Sequence, residues 1–222
     1  MVMSRDWLDD EEIERIITAT IIGVLWEGVT HDQLDVRLLT ARALTCATRI
    51  LSLEEISSQL FPPINSLVHD TAASVRAEMA KTIAALARRT EVVSDLEKRT
   101  QKLTLQLMVD ADDAVVLAIV RSMVVIVIEH EGAFREDFFI PQLNMTINAL
   151  SDASDGALIE AILDFYDALL SSCCVLTQSC LVMSLTPALQ SLVTLSKTAC
   201  HHRHIQAQSL LRQCQSKIVK KE

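Results

Sequence analysis

Apolar residues along this chain recur at helical spacing. In the segment Ser74 to Arg89, Val75, Met79, Ile83 and Leu86 fall at i, i+4, i+8 and i+11, which is one stripe of a helix. Ala77, Ala80, Ala84, Ala85 and Ala87 surround that stripe. Alanine is the strongest helix former, and its small side chain lets neighbouring backbones approach. The same reading predicts ten helices: Leu8 to Glu27, Gln33 to Ile50, Leu53 to Val68, Ala72 to Arg89, Val92 to Val109, Asp112 to Glu129, Arg135 to Leu150, Gly156 to Ser171, Gln178 to Ser196 and Arg203 to Val219. Linkers are short and no composition shift marks a domain boundary, so residues 1–222 read as a single array.

The pattern repeats. "HDQLDVRLLTARALTCA" carries Val36-Arg37, "HDTAASVRAEMAKTIAALA" carries Val75-Arg76, and "VDADDAVVLAIVRSMVV" carries Val115-Val116. The valines are 39 and then 40 residues apart, and Asp70 and Asp110 each stand five residues ahead of theirs. Asp152 precedes a similar run, and "HHRHIQAQSLLRQCQ" is a last, weaker unit. Between these runs lie "QLFPPINSLVHD", "FFIPQLNMTINALSD" and "SLTPALQSLVTL", each with proline inside an amphipathic stretch. A proline is tolerated near a helix start and kinks a helix interior. Each unit therefore reads as a proline-bearing first helix, a tight turn, and a second helix capped by Asp. One hairpin of this kind cannot bury its own faces, whereas stacked neighbours can. The expected fold is all-α, an α-α superhelix of about five helical hairpins.

The first helix is apolar on two sides. Ile13, Ile16, Ile17, Thr20, Ile21 and Val24 form one stripe, expected to face the second helix. Ile22, Trp26 and Val29 lie on the other side, with Leu25 between. The cap of a finished array is polar outside. Ile22 and Trp26 are therefore expected to form an exposed apolar end, which packs on a missing upstream repeat and drives self-association of the isolated chain.

Composition narrows the picture. Gly and Pro number four each, too few for the turns of a sandwich, a barrel or a glycine-looped nucleotide fold. The net charge of −9 argues against nucleic acid, which needs a concentrated basic surface. Acid gathers at the N-terminus (Asp6, Asp9, Asp10, Glu11, Glu12, Glu14) and base at the C-terminus (Lys217, Lys220, Lys221), as helix dipoles favour. The most apolar run, Ala114 to Ile128, is shorter than the ~20 residues that span a bilayer and holds Arg121 at its middle. The six cysteines form no regular framework and read as reduced thiols of a cytosolic protein. The acidic start shows no signal-peptide pattern.

Chemistry-bearing motifs are few. "ACHHRH" offers Cys200, His201, His202 and His204 as zinc ligands, but a structural zinc site draws paired ligands from two segments, and no second Cys/His pair is suitably spaced. The stretch reads as a polar turn. Cys173 and Cys174 point about 100° apart on a helix and read as core thiols. "DADD", Asp110 to Asp113, reads as helix caps. No G-x-S-x-G or G-K-[ST] motif is present, so catalysis has no residues to rest on, and no enzyme activity or cofactor is expected. Arg76, Lys81, Arg88 and Arg89 give one helix a basic face, either solvated or a partner-binding ridge, with Arg89 expected on the outside.

The period, the Asp, the Val-Arg pair and the proline-bearing first helices resemble HEAT repeats of the armadillo-like solenoid class. In that family, matching Asp and Arg residues form a ladder between repeats. The resemblance implies ladder roles for Arg37, Asp70, Arg76 and Asp110, and a break at Val116. "FREDFFIPQL", "ILDFYDALLSSCC" and "LLRQCQSKI" further resemble the C-terminal HEAT region of the RELCH family, LisH, coiled-coil and HEAT proteins that bind a recycling-endosome Rab GTPase. This implies the C-terminal part of a longer family member. It also implies a non-catalytic scaffold for recycling-endosome to trans-Golgi trafficking and cholesterol distribution. Expected partners are a Rab GTPase and an oxysterol-binding protein. The expected location is cytoplasmic, peripheral on recycling endosomes and the trans-Golgi network. Two other readings stay open: a phosphatase regulatory or scaffold subunit, and a metal-dependent enzyme centred on Cys200 to His204.

Overall fold

A computed structural model describes residues 10–89, 94–129, 133–150, 156–172 and 175–219. Expectations that fall on Asp6, Asp9, Asp152, Cys173, Cys174, Lys220 and Lys221 lie outside the described residues. So do those on the side chains of Asp10, Glu11, Ile13 and Glu14. The described residues form ten helices and no strand: α1 (Asp10–Val29), α2 (Leu34–Ile50), α3 (53–68), α4 (Ala73–Arg89), α5 (Ser94–Met108), α6 (Asp113–Glu129), α7 (133–149), α8 (Gly156–Ser171), α9 (178–196) and α10 (201–219). The fold is an all-α helical solenoid.

Consecutive helices pair as hairpins, and the hairpins stack in two layers. The even-numbered helices form one row, α2 on α4 on α6 on α8 on α10, and the odd-numbered helices form the row behind it. One continuous hydrophobic core runs from Ile22 in α1 to Cys214 in α10. The alanines of α4 serve this arrangement, with Ala80 and Ala87 buried between α2 and α6.

The prolines sit inside long helices without breaking them. In α3, a π turn over Ile56–Leu60 precedes Pro62 and Pro63, and the Phe61 amide bonds back to the Ile56 carbonyl. In α7 the π turn covers Ala133–Phe139 ahead of Pro141, and in α9 it covers Cys180–Leu185 ahead of Pro187. Proline has no N–H and its ring crowds the carbonyl four residues back. Widening one turn takes up both defects and lets the helix continue. Ser52 and Glu55 start α3 with a reciprocal capping box.

The face of α1 is opposite to expectation. Ile22, Leu25 and Val29 are buried, at 6%, 5% and 4% exposure, while Ile16, Ile17, Ile21 and Val24 are exposed. Ile22 is therefore not part of an exposed end. Both stripes are apolar, so periodicity alone does not choose between them. A Cβ at Gly28, which shares the Ile17, Ile21 and Val24 side of α1, would collide with the Thr40 side chain, so α2 crosses close to the helix at that point.

Candidate interaction surface

The turns that lead into α4 and α6 are built alike. Asp70 accepts the Ala72 amide at 2.8 Å and Asp110 accepts the Asp112 amide at 2.9 Å, so each carboxylate closes its own turn. The Asp thus acts just ahead of the helix. Its free edge meets an arginine of the preceding repeat. Arg37 Nε and Nη2 donate to the two Asp70 oxygens at 2.7 and 3.1 Å, and Arg76 does the same to Asp110 at 2.7 and 2.8 Å. Each guanidinium also donates to two carbonyls of its own turn: His31 and Asp32 for Arg37, Asp70 and Thr71 for Arg76. The arginine hydrogen bond holds the Asp110 carboxyl below its ordinary range against the opposing effect of burial. For Asp70, burial is the largest influence and pushes the other way, yet the Arg37 and Ala72 bonds together still hold it low. In the third unit Val116 occupies the arginine position and is buried. A hollow of about 360 Å³ opens there, walled by Asp110, Val116, Met145 and Leu158.

The row of even-numbered helices carries a groove of about 580 Å³ across α2, α4 and α6. Its walls are Arg49, Lys81, Arg88 and Arg89, and its apolar side is Val125 and Ile126. Lys81 pairs with Glu78 at 2.9 Å and Arg88 with Glu129 at 3.0 Å, both exposed to solvent. Arg89 corrects the sequence reading. It is half-buried and donates to the Thr48 and Leu51 carbonyls at 2.5 and 2.7 Å, so it closes the C-terminal end of α2. Those carbonyls become visible only once α2 and α4 are side by side.

At the first hairpin, Ile16, Ile17, Ile21 and Val24 of α1 and Leu39 of α2 form an exposed apolar face, and Trp26, on another side of α1, is 43% exposed. The last helix is different. Ser209, Arg212, Gln215 and Ser216 face solvent, with Ile205 and Val219 the exposed apolar residues.

The stretch Cys200 to His204 leads into the opening turn of α10, and its members separate. His204 bonds to Ser196 at 3.0 Å and to Gln208 at 2.9 Å. Cys200 is buried and His202 exposed, and both turn towards Glu160 of α8. A search for a second Cys/His pair passes over Glu160. The signal that could find it is the period: Glu160 and Cys200 are 40 residues apart. Of the other described thiols, Cys180 and Cys214 are buried and Cys46 exposed, and burial pushes Cys180 up to about 12.

Paired helices in two rows, with an Arg–Asp bond closing successive repeats, define a HEAT-type solenoid whose broad faces are suited to holding other proteins. Residues 13–207 match the family model described as the RAB11-binding protein RELCH C-terminal domain, and the chain belongs to that family. No curated protein matches the chain. No helix among the described residues is long and apolar enough to cross a membrane.

Proposed function

We propose that this chain is a non-catalytic scaffold that binds a Rab GTPase of the RAB11 type. The observation that carries the reading is the family match over residues 13–207. The groove across α2, α4 and α6 is our choice of docking face. It combines cations that are exposed and only loosely paired with an apolar side, the mixture that gives a protein interface both steering and burial. In the cell, the scaffold serves recycling-endosome to trans-Golgi trafficking and cholesterol distribution, peripheral on those membranes, with an oxysterol-binding protein as second partner. The chain is the C-terminal part of a longer family member, and the apolar face of α1 and α2 packs on the preceding repeat. In the isolated chain that face supports self-association.

The test is affinity capture with RAB11 loaded with GTP or GDP, alongside a phosphatase catalytic subunit. The chain holds the GTP-loaded form, and Lys81→Glu with Val125→Glu weakens capture by at least about tenfold without lowering the melting temperature. Capture of the phosphatase subunit alone overturns the reading. Undiminished RAB11 capture by the double variant moves the docking face elsewhere.

A further inference from the structure

We propose that Glu160, Cys200 and His202 bind a zinc ion that joins the last helical hairpin to the one before it. The three groups come from two separated segments: Glu160 from the second turn of α8, Cys200 and His202 from the residue before α10 and its opening turn. Their ligand atoms already converge. Cys200 Sγ is 3.7 Å from Glu160 Oε1, His202 Nε2 is 3.0 Å from the same oxygen, and Sγ and Nε2 are 4.0 Å apart. Tetrahedral zinc with bonds of about 2.0–2.3 Å needs ligand atoms about 3.3–3.5 Å from one another. Side-chain shifts of about half an ångström or less complete the triangle, and water reaches the fourth position past the exposed His202 ring.

The surroundings also fit a metal. The carboxylate presents Oε1 to the cluster, while Arg203 pairs with Oε2 at 3.7 Å and with Asp164 at 3.3 Å. An outer partner on the second oxygen orients a monodentate ligand. One sulfur, one imidazole nitrogen and one carboxylate oxygen suit zinc, a borderline-soft ion, better than magnesium or calcium, which take oxygen ligands. On binding, the Cys200 S–H bond breaks, its proton leaves to solvent, and the sulfur electron pair forms the Zn–S bond. The position has its own logic. The Arg–Asp ladder ends at Asp110, and Glu160 to Cys200 spans the same 40 residues as Asp70 to Asp110. The metal supplies between the last two repeats the cross-link that arginine supplies between the first three.

The test uses the whole chain, stripped with a chelator and titrated with zinc alone against a chromophoric competitor. The expected result is one zinc per chain and a higher melting temperature that chelator reverses. Cobalt in place of zinc gives a thiolate-to-metal charge-transfer band. His202→Ala, on an exposed side chain, leaves the apo fold unchanged and weakens binding by at least about tenfold. Cys200→Ser abolishes the charge-transfer band, and Cys46→Ser leaves all readouts as they are. No binding at micromolar zinc, or stoichiometric binding that survives both His202→Ala and Cys200→Ser, overturns the site and leaves a hydrogen-bonded turn.

Discussion

The two halves of the array hold their repeats together by different means. Between α2, α4 and α6 an aliphatic core is supplemented by small residues and directional polar contacts. Alanines bring the backbones close, Thr45 and Thr82 share a buried hydroxyl bond at 2.7 Å, and two Arg–Asp pairs close the rim. Beyond α6, aromatic rings fill the hairpin of α7 and α8, and a polar chain leads from it to the next repeat. Phe139 lies 5.5 Å from Phe165, whose ring meets Tyr166 edge-on at 5.4 Å. Tyr166 donates to Asn144 at 2.7 Å, and Asn144 donates on to the Ser184 carbonyl at 3.0 Å. Where alanines let helices approach closely, directional bonds at the edge help fix the register; where large rings fill the space between helices, their shape does so.

This contrast can be broken from either side. Ile83→Asp has the largest expected effect. The residue is fully buried, and a carboxylate there finds no partner, so the variant does not melt cooperatively as wild type does. Phe165→Ala, also fully buried, costs about 3–5 kcal/mol by cavity formation, read from denaturant curves. Asp110→Ala costs about 2 kcal/mol at neutral pH, since it leaves Arg76 half-buried without its charge partner. Of the costs of removing a native side chain, only that of Asp110→Ala depends on acid through this pair. The Asp110 carboxyl is held below its ordinary value of 3.8, so its stabilisation is full above that pH and is lost as pH falls through the lower folded value. Wild type and Asp110→Ala therefore converge in strong acid, while the Phe165→Ala difference does not narrow for this reason. Arg121→Ala sets the floor. It is exposed, in the unit where Val116 replaces the ladder arginine, and its melting curve stays within about 0.5 kcal/mol of wild type. Equal costs for Asp110→Ala and Arg121→Ala would show that the ladder does not hold the first half.

The same contrast explains what is legible in the sequence. Helix positions and the 40-residue period rest on local spacing, and the order of residues alone reveals both. Arg37, Asp70, Arg76 and Asp110 repeat with that period, so a resemblance can point to them. The facing of α1 is misread from spacing, because two apolar stripes compete and spacing does not rank them. Arg89 is misread because its partners are backbone carbonyls at the end of another helix. Glu160 is invisible as a ligand because one carboxylate among many has no spacing signature until its distance from Cys200 is compared with the period. The aromatic plug is equally silent, since rings placed by shape leave no regular pattern.

Among the described residues, the widened turns ahead of Pro62, Pro141 and Pro187 occur only in odd-numbered helices, and α1 and α5 carry no proline. Seen as mechanics, the array is a laminate of two unlike sheets. The even-numbered row is continuous and stiff along each rod, while the other is jointed at three of its five rods. A load that bends the stack is taken up by those joints, so curvature changes on the back while the face with the basic groove keeps its spacing.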